Sequence, residues 1–149
     1  MKQLLALLTS LVALAAVVAG AATPAQKATL TQTNRNCDGS LAGPEIQTPQ
    51  GFVNFVKSTS NKLVAAVVLK GATANAVYGI RLIQILPQNA DCATFDNGPY
   101  DGMLATNSSG DGNANVQEAV AQGANSALVV LNNRANPGSD FFTTEKLFF

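Results

Sequence analysis

The stretch KLVAAVVLKGATANAVYGIRLIQIL, from Lys62 to Leu86, decides how this chain folds. Its first half carries Val64, Val67 and Val68 between two lysines. Branched valine side chains suit a pleated sheet better than a helix, although the alanines among them would also suit a helix. Because apolar residues fall on odd and even positions alike, we predict an interior strand that is covered on both faces.

The second half of the stretch predicts a partner strand. Small residues from Gly71 to Ala76 provide a place where the chain can reverse. Tyr78, Ile80 and Leu82 then occupy alternate positions. The strand is expected to stop at Pro87, because proline has no N–H to donate to a ladder. We therefore predict a β-hairpin at the centre of the fold.

The N-terminus has the pattern of a secretory signal peptide. Lys2 precedes an apolar run from Leu4 to Val18, and a small-residue Ala-Gly-Ala sequence follows it. An N-terminal membrane anchor is the alternative, but the run is short for a bilayer-spanning helix, which needs about 20 residues. We expect residues 1–21 to be removed, which leaves residues 22–149 as one secreted, extracellular domain without a membrane span.

The charge balance excludes several classes of partner. Nine basic and nine acidic residues balance each other, and removal of Lys2 with the leader leaves one acidic residue in excess. Such a chain has no basic field for nucleic acid or for an anionic membrane surface. The partner that we expect is a protein or a component of the cell surface.

Two cysteines, Cys37 and Cys92, are present, and in an exported protein an even count predicts a disulfide. Each lies in a polar, turn-rich segment, so the bond would join two surface loops. The chain-entropy model gives roughly 4 kcal/mol for closing a loop of this size. Two free thiols are the alternative. The chain has no Cys-x-x-Cys motif and no His, so its composition supports neither a thioredoxin-type site nor a zinc site.

Short apolar segments separated by turn clusters recur outside the central stretch. They predict an all-β fold, an antiparallel β-sandwich of eight or nine short strands. An immunoglobulin-like topology stays open, although the chain has no Trp and no Tyr two residues before its second Cys. The predicted strands cover residues 28–33, 51–58, 102–106, 116–120 (where a helical turn would also fit), 127–131 (covered on both faces) and 141–149.

The segments GFVNFV, LKGATANAVYGIRLIQ, DGMLATNSSGDGN and ALVVLNN together resemble a type of small secreted bacterial protein. The similarity extends over most of the chain after the leader. The shared motifs are a Gly-Ala-x-x-Asn turn before a Tyr-containing strand and a Gly-x-Gly-Asn turn. The resemblance implies export and a β-sandwich fold, and it implies no activity.

The composition argues against catalysis. Without His, the chain has neither a Ser-His-Asp nor a Cys-His site. Serines and lysines between residues 57 and 62 form an ordinary polar turn, and the aspartates between residues 91 and 111 lie in predicted loops, where acids are common. We therefore predict a protein that is not an enzyme, with a small His-free hydrolase as the least favoured alternative.

One segment suggests a metal site. In NSSGDGNANVQE, Asn107, Ser109 and Asp111 alternate, a Gly comes sixth and Glu118 comes twelfth. This is the spacing of an EF-hand calcium loop, in which a bidentate Glu completes the oxygen ligands. Only two of these ligands are charged, so calcium binding would be weak, with a Kd of roughly 10⁻⁴ to 10⁻³ M. The alternative is a Gly-rich turn whose Asn and Ser bind their own backbone. No other cofactor is expected.

The C-terminal segment FFTTEKLFF suggests an interaction strand. Phe141, Phe142, Phe148 and Phe149 flank a Thr-rich centre. Burial in the core is one interpretation, and a strand offered to the sheet edge of a neighbour is the other. The sequence therefore predicts a secreted, non-enzymatic structural or interaction module, with a weak calcium-binding module as the alternative.

Overall fold

The computed structural model describes residues 23–86 and 99–149, which form nine β-strands and no helix. The strands form two antiparallel sheets that pack together, which confirms the predicted all-β sandwich. The predicted signal peptide and Cys92 lie outside the described residues. No apolar helix of membrane-spanning length occurs in residues 23–86 or 99–149.

The bounds of the strands are β1 Gln26–Thr29, β2 Gly51–Lys57, β3 Lys62–Leu69, β4 Val77–Ile85, β5 Gly102–Ala105, β6 Gly112–Ala119, β7 Ser126–Asn133, β8 Phe141–Thr143 and β9 Leu147–Phe148. The longest connections are the β1–β2 loop, residues 30–50, and the β4–β5 connection, residues 86–101, most of which lies outside the described residues. The alternative of a helical turn at residues 116–120 is wrong, because β6 pairs with β3 along its whole length.

Sheet A has the strand order β1-β2-β3-β6. Burial alternates along β3, since Leu63, Ala65, Val67 and Leu69 are buried and the residues between them are half-buried. This interior strand thus contributes one face to the core and turns the other outward. The prediction that both of its faces are covered is wrong.

Sheet B has the order β5-β4-β7-β8, with β9 also paired to β7. Every residue of β7 from Ser126 to Leu131 is buried, which confirms the predicted double burial of residues 127–131. Tyr78, Ile80 and Leu82 of β4 are buried as well. Their side chains belong to the same core cluster as those of sheet A.

The central hairpin that the sequence predicts is not formed. β3 pairs with β2 and β6 in sheet A, whereas β4 pairs with β5 and β7 in sheet B. The segment between them carries the chain from one sheet to the other. It is held by the β5–β6 turn, since the Ala72 N–H donates to the Gly110 carbonyl at 3.0 Å and the Asn75 N–H donates to the Asn107 carbonyl at 3.0 Å. The apolar pattern gave the two strands correctly but not their partners.

The outer face of sheet B is covered by residues from elsewhere in the chain. In the β1–β2 loop, Gly39 lies against the side chains of Ile85 and Lys146. The Tyr100 ring lies so close over Gly79 that a Cβ there would approach it to 2.2 Å. These contacts place the β1–β2 loop and Tyr100 over the outer face of sheet B.

Candidate functional site

Arg35 lies in the β1–β2 loop, and its side chain is only 10% exposed. Its Nη1 donates to the Gly39 carbonyl at 3.1 Å, and its Nη2 lies 3.9 Å from Glu45 Oε1, beyond hydrogen-bond distance. Its Nε is buried and has no hydrogen-bond partner within the described part of the chain. Leaving a buried donor unpaired costs about 1–3 kcal/mol, so this N–H is a candidate contact for a ligand.

Arg35 borders two cavities. The first, which we call the Arg35–Phe141 cavity, has a volume of about 150 Å³ and lies between the β1–β2 loop, β7, the β7–β8 turn and β8. Its walls are Asn34, Arg35, Val130, Asn132, Pro137, Gly138, Phe141 and Thr143. The second, the Glu45 cavity, has a volume of about 280 Å³ and is lined by Thr29, Thr31, Arg35, Glu45, Ile46, Gln47, Pro49 and Glu145.

The two cavities differ in charge. Among the described residues, Arg35 is the only charged one in the wall of the Arg35–Phe141 cavity, whereas the Glu45 cavity also carries Glu45 and Glu145. Behind the first cavity, Arg81 donates from Nη1 to Asn132 Oδ1 at 2.9 Å. Arg81 is 6% exposed, and its guanidinium lies 4.1 Å from the centre of the Tyr100 ring. Of these two cavities, the Arg35–Phe141 cavity therefore has the more positive lining among the described residues.

A pair of carboxyl groups lies where β6 of sheet A meets β4 of sheet B. Gln84 Nε2 donates to Glu118 Oε1 at 2.7 Å, and the Asp101 carboxyl lies near that of Glu118. Burial raises the pKa of Glu118 to about 7, and the Asp101 carboxylate acts in the same direction. Asp101 also accepts the Leu82 N–H at 2.7 Å.

Neutral pH therefore lies close to the pKa of Glu118, which is the range that suits proton transfer. Neither carboxyl lines the Arg35–Phe141 cavity or the Glu45 cavity. Through its hydrogen bond with Gln84, Glu118 links sheet A to sheet B.

A third polar cluster surrounds Asp140, just before β8. Its carboxylate accepts hydrogen bonds from the Tyr78 hydroxyl at 2.8 Å, the Thr73 hydroxyl at 2.7 Å and Asn133 Nδ2 at 2.7 Å. Burial raises the pKa of Tyr78, so the phenol keeps its proton and remains a donor. With three side-chain donors, Asp140 ties the β3–β4 connection to sheet B, and it also lines a shallow cavity of about 430 Å³.

The structure does not bring the four predicted calcium ligands together. Asn107 Oδ1 accepts the N–H groups of Ser109 and Asp111, at 2.9 and 3.1 Å, and one Asp111 oxygen accepts the Gly71 N–H at 3.0 Å. Glu118 lies near the far end of β6, roughly 20 Å from Gly112 for six extended residues. No group of three or more metal-binding side chains of the Asp, Glu, His or Cys type occurs in residues 23–86 and 99–149. The segment is a turn followed by a strand, since pairing with β3 extends the residues that an EF-hand would coil.

The four predicted interaction phenylalanines have different positions. Phe142 is buried against Tyr78, with 5.8 Å between ring centres, and Phe149 packs against Phe55 at 6.0 Å. Phe141 lines the Arg35–Phe141 cavity, and Phe148 is 60% exposed.

The C-terminal segment is not a free strand. It forms two short strands, β8 and β9, that both pair with β7. On the other side of β8, Thr31 and Thr143 exchange backbone hydrogen bonds of 3.1 and 2.9 Å. The chain itself therefore occupies this edge of sheet B at Thr143, where the sequence suggests that a neighbour would pair.

The predicted disulfide stays a prediction. Cys37 is half-buried in the β1–β2 loop, and no free cysteine occurs among the described residues. Cys92 lies outside them.

Sequence reasoning missed Arg35, Arg81 and the contact between Asp101 and Glu118. Each of these four residues is a single charged side chain with no sequence motif around it. Only the pairing of distant strands and the packing of the β1–β2 loop give the two arginines their low exposure and bring Asp101 close to Glu118. The sequence therefore contains no local signal that would have identified them.

Comparisons with known proteins add no identity to this picture. No protein-family model, curated protein or solved structure matches the chain.

Proposed function

We propose that the protein is a secreted, non-enzymatic β-sandwich that works as a binding module outside the cell. The observation that carries the proposal is the Arg35 side chain, which is 10% exposed and keeps one unpaired buried N–H. A buried cation beside an otherwise uncharged cavity is costly for folding alone, and contact with a ligand would offset that cost. The proposal of export rests on the leader sequence.

The contacts of the acidic residues support a binding function over a hydrolytic one. Asp140 accepts hydrogen bonds from three side chains, Asp101 accepts one from the Leu82 N–H, and Glu118 accepts one from Gln84. Each carboxyl is thus committed to a structural contact. In a chain without His, few groups remain that would act as a general base.

A ligand screen tests the binding function. Residues 22–149 would be melted in the presence of organic acids, amino acids, sugars, nucleotides and short peptides. We expect at least one class to raise the Tm by roughly 5–10 °C at hundredfold excess over its Kd. Mass spectrometry of the recovered ligand should show it chemically unchanged. Conversion of the ligand, or a Tm that no class raises, would contradict the proposal.

Export is tested separately. The full chain would be expressed in a bacterial host, and the N-terminus of the exported protein would be sequenced. We expect it to start at Ala22. Retention of residues 1–21 on membrane-bound protein would support the alternative of an N-terminal anchor.

A further inference from the structure

We propose that the Arg35–Phe141 cavity binds the carboxylate of a small organic acid with an apolar body. This inference rests on the proposed binding function and names the ligand class. The site combines a guanidinium with free donors, an uncharged polar rim and an apolar wall.

The first step concerns which N–H groups of the Arg35 guanidinium already have hydrogen-bond partners. Nη1 is engaged by the Gly39 carbonyl, while Nε is unpaired and Nη2 stays 3.9 Å from the Glu45 carboxylate. Nε and Nη2 are the two parallel donors with which arginine holds a carboxylate in a bidentate pair. Glu45 is 52% exposed and too distant to form that pair. Within the described residues, neither donor of this bidentate edge therefore has an acceptor at hydrogen-bond distance.

The second step is the sign of the surrounding charge. Among the described residues that line the cavity, Arg35 is the only charged one. Its charge favours an anion and repels a cation. One guanidinium, without a lysine or a Gly-rich loop among the described lining residues, suits one negative charge better than a phosphate dianion.

The third step is the shape and polarity of the walls. Val130, Pro137 and Phe141 form an apolar side against which a ring or a short aliphatic chain can pack. Asn34 is exposed at the rim, and its side chain makes no hydrogen bond within the described residues, so its amide can donate to the ligand. A volume of about 150 Å³ is below that of a pocket for drug-sized ligands, so the ligand is small.

The experiment uses benzoate as the probe, with benzamide and benzylammonium as matched neutral and cationic probes. Binding to residues 22–149 would be followed by amide chemical shifts in NMR titrations. We expect benzoate to bind with a Kd in roughly the millimolar range or tighter, as a ligand of this size allows. We expect shifts around the β1–β2 loop and β8, and much smaller shifts with the other two probes.

Variants with matched controls separate the effect of charge on benzoate binding from any effect on folding. Arg35→Gln should weaken benzoate binding by about tenfold to a hundredfold, because it removes a charge-assisted bidentate contact. Arg134→Gln, which changes an exposed arginine outside the cavity wall, should leave the Kd within about twofold. Asn34→Asp places a negative charge at the exposed rim and should weaken benzoate binding several-fold, whereas Asn115→Asp on the outer face of sheet A should not.

Any one of three results would overturn the inference. These are equal affinity for benzoate and benzamide, undiminished benzoate binding by Arg35→Gln, and the absence of chemical-shift changes with benzoate at millimolar concentration. If Arg35→Gln does not fold, the comparison of Asn34→Asp with Asn115→Asp decides instead, and equal affinities would overturn the inference. A ligand of another class found in the screen, without benzoate binding, would leave the proposed function in place and remove only this inference.

Discussion

The outer faces of the two sheets differ in how they meet their surroundings. On sheet A, Val64 and Val68 are half-buried next to a row of exposed asparagines on β6. On sheet B, Leu128 is completely buried and Val130 is 4% exposed. The difference arises because the β1–β2 loop and Tyr100 lie across sheet B.

This difference shows how a sandwich acquires a candidate site. A strand covers its neighbour with regular pairing and close packing, whereas an irregular loop packs unevenly and leaves gaps. The Arg35–Phe141 cavity and the Glu45 cavity both border the β1–β2 loop. The loop also places a nearly buried guanidinium between apolar strand residues, where its electrostatic influence exceeds that of a solvated charge.

The largest effect is expected from a buried leucine on the outer face of sheet B. Leu128→Ala should lower the free energy of unfolding by about 3 kcal/mol, because it leaves a void among the packed side chains of Ile85 and Val130. Val64→Ala, at the half-buried outer face of sheet A, should cost less than about 1 kcal/mol. Urea unfolding measures both. Equal losses would show that the two outer faces are covered alike.

A methyl group added to each outer face gives the next effect. Gly79→Ala places a Cβ 2.2 Å from the Tyr100 ring, so the ring must move off sheet B, and we expect a loss of about 2 kcal/mol. Ala66→Val adds two carbons to the half-buried face of sheet A and should change stability by less than about 0.5 kcal/mol. Thermal unfolding compares them, and a neutral Gly79→Ala would contradict the close cover by Tyr100.

The carboxyl pair that links the two sheets predicts a smaller, pH-dependent effect. The folded state keeps the Glu118 proton up to a pKa of about 7, while the unfolded chain releases it near 4.5. The contribution of Glu118 therefore makes stability fall as pH rises between these values and makes no further change above them. After allowance for solvent screening the total is about 1 kcal/mol.

Glu118→Gln isolates this effect, because glutamine imitates the protonated acid. Compared with the wild type, the variant should lose that part of the pH slope and gain stability above pH 7. Glu145→Gln, an exposed change, serves as the control. Urea unfolding between pH 4.5 and 8 measures the difference, and parallel curves for wild type and Glu118→Gln would refute a shifted pKa.

The smallest effect is expected at the end of sheet B. Phe148 is 60% exposed, so Phe148→Ser should change stability by less than about 0.5 kcal/mol. Phe142→Ala, only six residues earlier but buried, should cost about 3–5 kcal/mol. Sedimentation of Phe148→Ser also tests the predicted interaction strand, since self-association that is unchanged by the variant would exclude Phe148 as the contact.

Particular residues show how far the sequence could predict the structure. The valine-rich β3 and the run from residue 127 to 131 were predicted as strands because branched side chains report local backbone preference. The predicted hairpin was wrong because an apolar pattern shows on which face of a strand each side chain lies. It does not show which other strand is the hydrogen-bonded partner. The C-terminal segment was predicted as one strand, but it divides between β8 and β9, where Thr144 forms hydrogen bonds with the Val129 backbone.

The candidate site was less predictable than the fold. Phe141 was selected as part of an interaction strand, and its place in the wall of the Arg35–Phe141 cavity followed only from the structure. Glu118 was assigned to calcium from spacing alone, whereas in the folded chain it is bound to Gln84 and Asp101. Spacing along the chain predicts proximity only in a coiled segment, and β6 is extended.

The sequence by itself determined the β class, most strand positions and the apolar core of the protein, because each depends on the side chains of neighbouring residues. Only the tertiary structure decided which strands pair, that the β1–β2 loop covers sheet B, and that Arg35 is buried beside a cavity. These features depend on contacts between residues far apart in the chain, whose energies are settled by packing of the whole sandwich and leave no local pattern in the sequence.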